Sequence, residues 1–177
     1  MDFLAETGVW FSNATSPSPV CSPARASLLT GRLPSQHGIH DYLSETGTNE
    51  RDWLTGEILL PVLLRDSGYF TSLVGKWHLS GAGNPPDGVF DRWLSYDVAA
   101  EGWRNQYLHH GRVHLLDNGE PLTIEGFQTA ELADRAVEII NDRPADQPFF
   151  LLFAPTDTHA PFEGHPEEWV ERYRQIG

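Results

Sequence analysis

Two apolar stretches, YFTSLVG at 69–75 and PFFLLFA at 148–154, each follow a segment patterned as a helix, and this alternation constrains the fold more than any other feature. EILLPVLLRDSG at 57–68 reads as an apolar helix with an internal Pro61 and a terminal Gly68. FQTAELADRAVEIINDR at 127–143 places Ala130, Ala133, Ala136, Val137 and Ile140 on one face, with charged residues opposite. Helix, strand, helix, strand in this order predicts an α/β domain with a mainly parallel sheet, because parallel neighbours require a crossover. The continuous apolar run at 148–154 predicts a strand covered on both faces.

The remaining segments are read by their punctuation. Residues 2–7 form the last turns of a helix stopped by Gly8, and VWFSNA at 9–14 is a short strand rich in β-formers. A Pro/Ser turn follows, then a helix over 23–30 with Ser22 as its N-cap and Pro23 at its first position. Residues 33–55 are a loop region. From 80 to 123 Gly, Pro, Trp and His interleave without a period, which predicts a long excursion with a hairpin at DNGE, 117–120. GAGNPPDG at 81–88 lacks the lysine and following helix of a phosphate-cradling loop and is a turn.

Composition narrows the classes of partner. Hydrophobic residues make up 40% of the 177-residue chain and charge is dispersed, as in a globular domain rather than a disordered one. A formal charge of −13 without a basic stripe argues against nucleic acid, yet leaves room for a small anion held by a local cluster of cations. No run of about 18 apolar residues predicts a membrane span. A single cysteine excludes an intrachain disulfide and a cysteine-based zinc site.

In a parallel sheet, ligands sit beyond the carboxyl ends of the strands. The strand at 69–75 delivers Lys76 and His78 there, and the strand at 148–154 delivers Asp157 and His159. Cys21, at the start of a helix, lies beside free backbone N–H groups, with Arg25 about one turn on. A nucleophile, a helix N-terminus, two cations and two histidines suit attack on a tetrahedral oxyanion ester. The ordinary alternative for Cys21 is a buried, inert thiol. His37, His40 and Asp41, and separately His109, His110 and His114, have metal-like spacing but lack the fixed set of ligands that zinc requires.

PVCSPARASLLTG at 19–31 and GYFTSLVGKWH at 68–78 resemble, in order, the two signatures of the type I sulfatase family within the alkaline-phosphatase-like superfamily. The resemblance extends to LAETGVWFSNAT and TDTHAPF. It implies an alkaline-phosphatase-like sandwich, here incomplete, and a sulfuric ester hydrolase whose Cys21 is oxidised to formylglycine by a formylglycine-generating enzyme. By the same resemblance, the hydrated aldehyde attacks sulfur and forms a covalent sulfated intermediate. Arg25 would hold the hydrate, Lys76 the sulfate, His78 the formylglycine hydroxyl and His159 the leaving group. A divalent metal, commonly calcium, would contact residue 21 in its formylglycine form. The substrate would be a sulfated small molecule or carbohydrate, with Trp93, Trp103 and Tyr107 as stacking or core residues, and the parent protein would be periplasmic or secreted.

The resemblance also implies metal carboxylates from an Asp pair upstream of LAETGVWF and from a second pair after residue 177, together with a further lysine. Their absence predicts that residues 1–177 are part of a sulfatase catalytic domain lacking its first strand and C-terminal part, with weak metal binding, little hydrolysis, exposed strand edges and self-association. The competing readings are a phosphate or phosphonate monoester hydrolase of the same superfamily and a non-catalytic remnant.

Overall fold

The computed structural model describes residues 2–43, 53–81 and 83–176, excluding the side chains of Asp2, Glu101, Trp103, Asn105 and Gln106. The elements run α1 (Asp2–Thr7), α2 (Cys21–Thr30), α3 (Pro34–His37), α4 (Leu60–Asp66), β1 (Phe70–Gly75), β2 (Arg92–Tyr96) and α5 (Val98–Glu101). A 3₁₀ segment (Gly102–Tyr107), β3 (His110–Asp117), β4 (Glu120–Phe127), α6 (Gln128–Asp142), β5 (Phe149–Ala154) and α7 (Glu167–Arg174) follow. One mixed sheet has the order β4-β3-β2-β1-β5. β1 pairs in parallel with β2 and β5, while β3 joins β2 and β4 antiparallel.

β1 shows why the sheet needs cover on both sides. Its side chains alternate, so Leu73 enters a core with Ala26, Leu29, Trp77 and Trp93, while Val74 enters another with Leu94, Leu115, Leu132 and Ala136. The first core lies towards α2 and α4, the second beneath α6. Trp93 is therefore a core residue, whereas the Trp103 side chain lies outside the described residues. The hairpin forms at the expected place, with Asn118 and Gly119 both in the left-handed region at φ 48° and 91°, as a tight turn between twisted strands requires.

Several expectations are corrected. VWFSNA is not a strand: Trp10 and Phe11 are 74% and 77% exposed, and the segment joins no ladder among the described residues. β-forming side chains favour a strand only where a neighbouring edge and face receive them. Ser22 is not the cap of α2. Val20 is, and the Ser22 hydroxyl, buried in the second helical position, instead accepts the Leu43 N–H at 3.1 Å. Pro61 stands in the first turn of α4, not inside it, because a residue without N–H is harmless only there.

The buried stripe of α6 runs through Gln128, Leu132, Ala136 and Ile139, and Val137 is 55% exposed. The stripe is rotated from the expected one because the larger Leu132 takes the core. Among the described residues β5 lies at the sheet edge with exposed Phe149 and Phe153, and is not a strand covered on both faces. The excursion at 80–123 contains β2, whose four consecutive buried residues lack the alternation that reveals a half-exposed strand. The loop at 33–55 contains α3.

Candidate active site

β1 and β5 end side by side, Gly75 opposite Ala154. Gly75 has φ 108°, and a Cβ there would meet the Ala154 carbonyl oxygen at 2.2 Å, so only glycine permits this approach. The next N–H, of Lys76, donates to the same oxygen at 2.8 Å. The chain then sends Trp77 into the core and turns at His78, a non-glycine residue at φ 59°. Such backbone is sparsely populated and persists where surrounding contacts over-determine it.

α2 brings the cysteine to this strand end. Cys21 is its first residue, half-buried, and Arg25 donates through Nη1 to the Lys76 carbonyl at 2.7 Å. Cys21 borders two cavities. One, of about 740 Å³, is lined by Ser16, Ser18, Tyr42, His78, Tyr107 and His159 among others. The second, of about 650 Å³, is lined by Arg25, Leu28, Phe153 and Asp157 among others. The five residues singled out in the sequence, Cys21, Arg25, Lys76, His78 and His159, thus lie around one region.

Tyr107 links them. Its ring stacks on His159 with centroids 4.5 Å apart and planes at 27°. Lys76 Nζ lies 5.1 Å from the Tyr107 centroid and 3.4 Å from its hydroxyl. His159 donates through Nδ1 to the Ala160 carbonyl at 2.7 Å, because a carbonyl only accepts. Tyr42 was not singled out in the sequence and carries no motif there. The sequence leaves Tyr107 as a stacking or a core residue, and its stacking on a residue of the distant β5 loop is a tertiary fact.

Burial shapes the electrostatics. Lys76, 3% exposed, has its pKa lowered to about 8 by desolvation, with Arg25 acting in the same direction and Cys21 opposing. His78 is lowered to about 3 by burial, and the neighbouring Lys76 charge adds to it. Its Nε2 donates to the Leu43 carbonyl at 3.0 Å, so at neutral pH it is a neutral imidazole of defined tautomer. Burial also lowers the Arg25 pKa and raises that of Tyr107. The pocket therefore concentrates cationic and neutral donors in a chain of net negative charge.

The other histidine groups do not assemble as their spacing suggested. His37 shares a 3.0 Å hydrogen bond with the Ser27 hydroxyl, and neither it with His40 and Asp41 nor His109 with His110 and His114 forms a ligand cluster among the described residues. Calcium does not fit the groups present around Cys21. Among the described residues lining the two cavities only Asp157 is a carboxylate, and its oxygens already meet the Thr129 hydroxyl and His109 Nδ1. A hard dication of this kind takes about six to eight oxygens.

The family model described as Sulfatase matches residues 1–177. This chain belongs to the sulfatase family. Among curated relatives, N-acetylgalactosamine-6-sulfatase of Homo sapiens is 33% identical over 184 residues, covering 91% of this chain and 34% of that protein. N-acetylglucosamine-6-O-sulfatase of Bacteroides thetaiotaomicron is 25% identical over 177 residues, covering 100% of this chain and 28% of that protein. Among solved structures, BT4656 in complex with its substrate D-glucosamine-2-N,6-O-disulfate superposes with a TM-score of 0.79 at 23% identity, over 99% of this chain and 32% of that one. Ps i-CgsB in complex with k-i-k-neocarrahexaose superposes with a TM-score of 0.79 at 26% identity, over 99% of this chain and 43% of that one. The sulfatase-family chain thus has the alkaline-phosphatase-like α/β fold and spans about a third of the length of the curated relatives it matches. No described helix is long and apolar enough to cross a membrane.

Proposed function

We propose that residues 1–177 are part of a sulfatase catalytic domain and carry the nucleophile side of a sulfuric ester hydrolase site. The observation that carries this reading is Cys21 at the N-terminus of α2, with Arg25, Lys76, His78 and His159 around the same carboxylate-poor region. Cys21 has no disulfide partner and faces open cavity, which suits a residue modified after synthesis. As formylglycine, residue 21 would supply a hydrate oxygen as the nucleophile.

The other roles follow from charge and position. Arg25 and Lys76 neutralise the non-bridging oxygens of a sulfate ester, whose charge persists as the ester bond breaks. Neutral His78 accepts a proton at the nucleophile. His159, exposed and lining the same cavity as Cys21 and His78, would face the departing alcohol. Water enters the net reaction, and an alcohol and sulfate leave. The stacked Tyr107–His159 pair offers a flat wall for a sugar ring, and the relatives named for N-acetylhexosamine sulfates support a sulfated carbohydrate as substrate. Maturation by a formylglycine-generating enzyme, a divalent metal in the longer enzyme and a periplasmic or secreted location belong to the same reading.

Co-expression with a formylglycine-generating enzyme, followed by peptide mass analysis, tests the nucleophile: aldehyde at position 21 is expected, and a wholly unmodified thiol overturns the assignment. Turnover by a longer protein containing this segment tests the reaction. Aryl sulfate should be hydrolysed in preference to aryl phosphate, and the reverse preference would establish a phosphoester hydrolase instead.

A further inference from the structure

Next to the Cys21 cavities, and sharing Asp157 with one of them, a second group of side chains converges on one point. His109, directly before β3, Asp157, in the loop after β5, and His165, before α7, place one ligand atom each within 4.8 Å of one another. Their side chains are 1%, 11% and 22% exposed. His109 Nδ1 and Asp157 Oδ1 are in contact, although neither atom has a hydrogen bond of ordinary geometry. His165 Nδ1 lies 3.7 Å from the same carboxylate oxygen. The His109 and His165 rings stand 5.0 Å apart between centroids.

The surroundings point these atoms at a cation. His109 Nε2 donates to the His159 carbonyl at 2.9 Å, so in the neutral ring Nδ1 bears the lone pair. Thr129 donates its hydroxyl to Asp157 Oδ2, which leaves Oδ1 to face the two imidazoles. Two ring nitrogens and one carboxylate oxygen thus converge where His109 and Asp157 are largely buried and His165 is partly exposed, an arrangement that either a donated N–H or a metal ion satisfies. A ligating histidine whose other N–H is held by a backbone carbonyl, and a ligating carboxylate held by a hydroxyl, are the supports that metal ligands usually have.

We propose that His109, Asp157 and His165 form a binding site for a transition-metal dication of the zinc class. Two imidazoles and one carboxylate are donors that zinc accepts and calcium does not favour. Ligand atoms about 2.0–2.2 Å from zinc stand roughly 3.3 Å apart in a tetrahedron. The 3.7 Å between His165 Nδ1 and Asp157 Oδ1 is close to that spacing. Binding parts His109 Nδ1 from Asp157 Oδ1 and puts the ion where the pair otherwise shares a proton. A fourth position opens towards the cavity of about 770 Å³ between α6 and α7, which Asp157, His165 and Trp169 also line. The ion would tie the loop that carries His159 to the start of β3. The ligand set does not include Cys21, so metal binding can be tested apart from the sulfatase reading, although Asp157 also lines a Cys21 cavity.

The test uses untagged, chelator-stripped full chain titrated with Zn²⁺ by calorimetry and with Co²⁺ by visible absorption. One equivalent should bind, with Co²⁺ ligand-field bands that Zn²⁺ abolishes and excess Ca²⁺ leaves unchanged. His165→Gln, at the most exposed ligand, should weaken Zn²⁺ at least tenfold while circular dichroism and melting without metal stay as in the parent. Asp157→Asn should do the same, and Cys21→Ala should bind normally. Absence of Co²⁺ bands from folded protein would assign the cluster to a proton-sharing pair. Undiminished binding by folded His165→Gln, or its loss in Cys21→Ala, would place the ion elsewhere; either result overturns the proposal.

Discussion

Lys76→Met separates the stability of the fold from the chemistry of the pocket. At neutral pH the ammonium is kept in a position 3% exposed, and its pKa falls from 10.5 to about 8, chiefly through desolvation. At about 1.4 kcal/mol per unit, the charge costs the native state roughly 3 kcal/mol. Methionine of similar length removes that cost. It also removes the contact of Nζ with the Tyr107 ring at 5.1 Å, an interaction of about 1–2 kcal/mol when desolvated, and a long 3.4 Å contact to the hydroxyl. The balance is a gain of about 1–2 kcal/mol at pH 7, or a rise in Tm of roughly 2–8 °C for a chain of this size.

The sign with pH is fixed by linkage. Below about 8 lysine is protonated in both states and the cost is constant. Between about 8 and 10.5 the unfolded chain holds the proton and the native state does not, so wild-type stability rises with pH and the advantage of the variant shrinks. Urea unfolding of both proteins from pH 7 to 10.5 measures the difference, in which the other titrating groups cancel. Inorganic sulfate should raise the wild-type midpoint and leave that of the variant unchanged, because a ligand stabilises only the state that binds it. A variant less stable than wild type at pH 7, or a difference independent of pH, would refute the claim that burial of this charge is costly.

Three other outcomes are expected. His78, held near 3 against 6.5 when unfolded, is neutral in the native state, so its contribution to stability is lost as pH falls from about 6.5 through 3. Against His78→Asn, whose side chain tolerates the left-handed backbone, the wild type should lose roughly 3 kcal/mol more between pH 7 and pH 4; parallel acid limbs in denaturant titrations would contradict this. Gly75→Ala should cost about 3 kcal/mol or more through strain at φ 108° and the 2.2 Å approach to Ala154, and a loss under 1 kcal/mol in urea would disprove the tight β1–β5 contact. Tyr107→Ala should weaken a sulfated monosaccharide about threefold to tenfold while Tyr107→Phe retains affinity, as expected for a ring stack of about 1 kcal/mol; calorimetry showing equal loss in both variants would assign the effect to the hydroxyl.

Local chemistry made part of this molecule readable before folding. Gly8 ends α1, Asn118-Gly119 turns the hairpin, and the helix–strand alternation identifies an α/β chain whose strand ends deliver Lys76, His78, Asp157 and His159. These features depend on dihedral preferences, missing N–H groups and side-chain periods, and all of them act within a few residues. The positions of Cys21 and Arg25 were similarly legible from one short motif at a helix start.

Other features depend on what lies opposite. PFFLLFA has the composition of a central strand, but its place at the sheet edge is set by β1 having β2 on its other side. The face of α6 that turns inward is chosen by the sheet beneath it, and the Ser22 hydroxyl is claimed by Leu43 instead of by its own helix. His109 stood in a run of neighbouring histidines, yet its partners are Asp157, His165 and the carbonyl of His159, 50 residues on. Periodicity carries no information about such pairings. They arise when a strand order and two packed faces bring distant segments together, and the cost of burying unpaired polar groups then selects which of them meet.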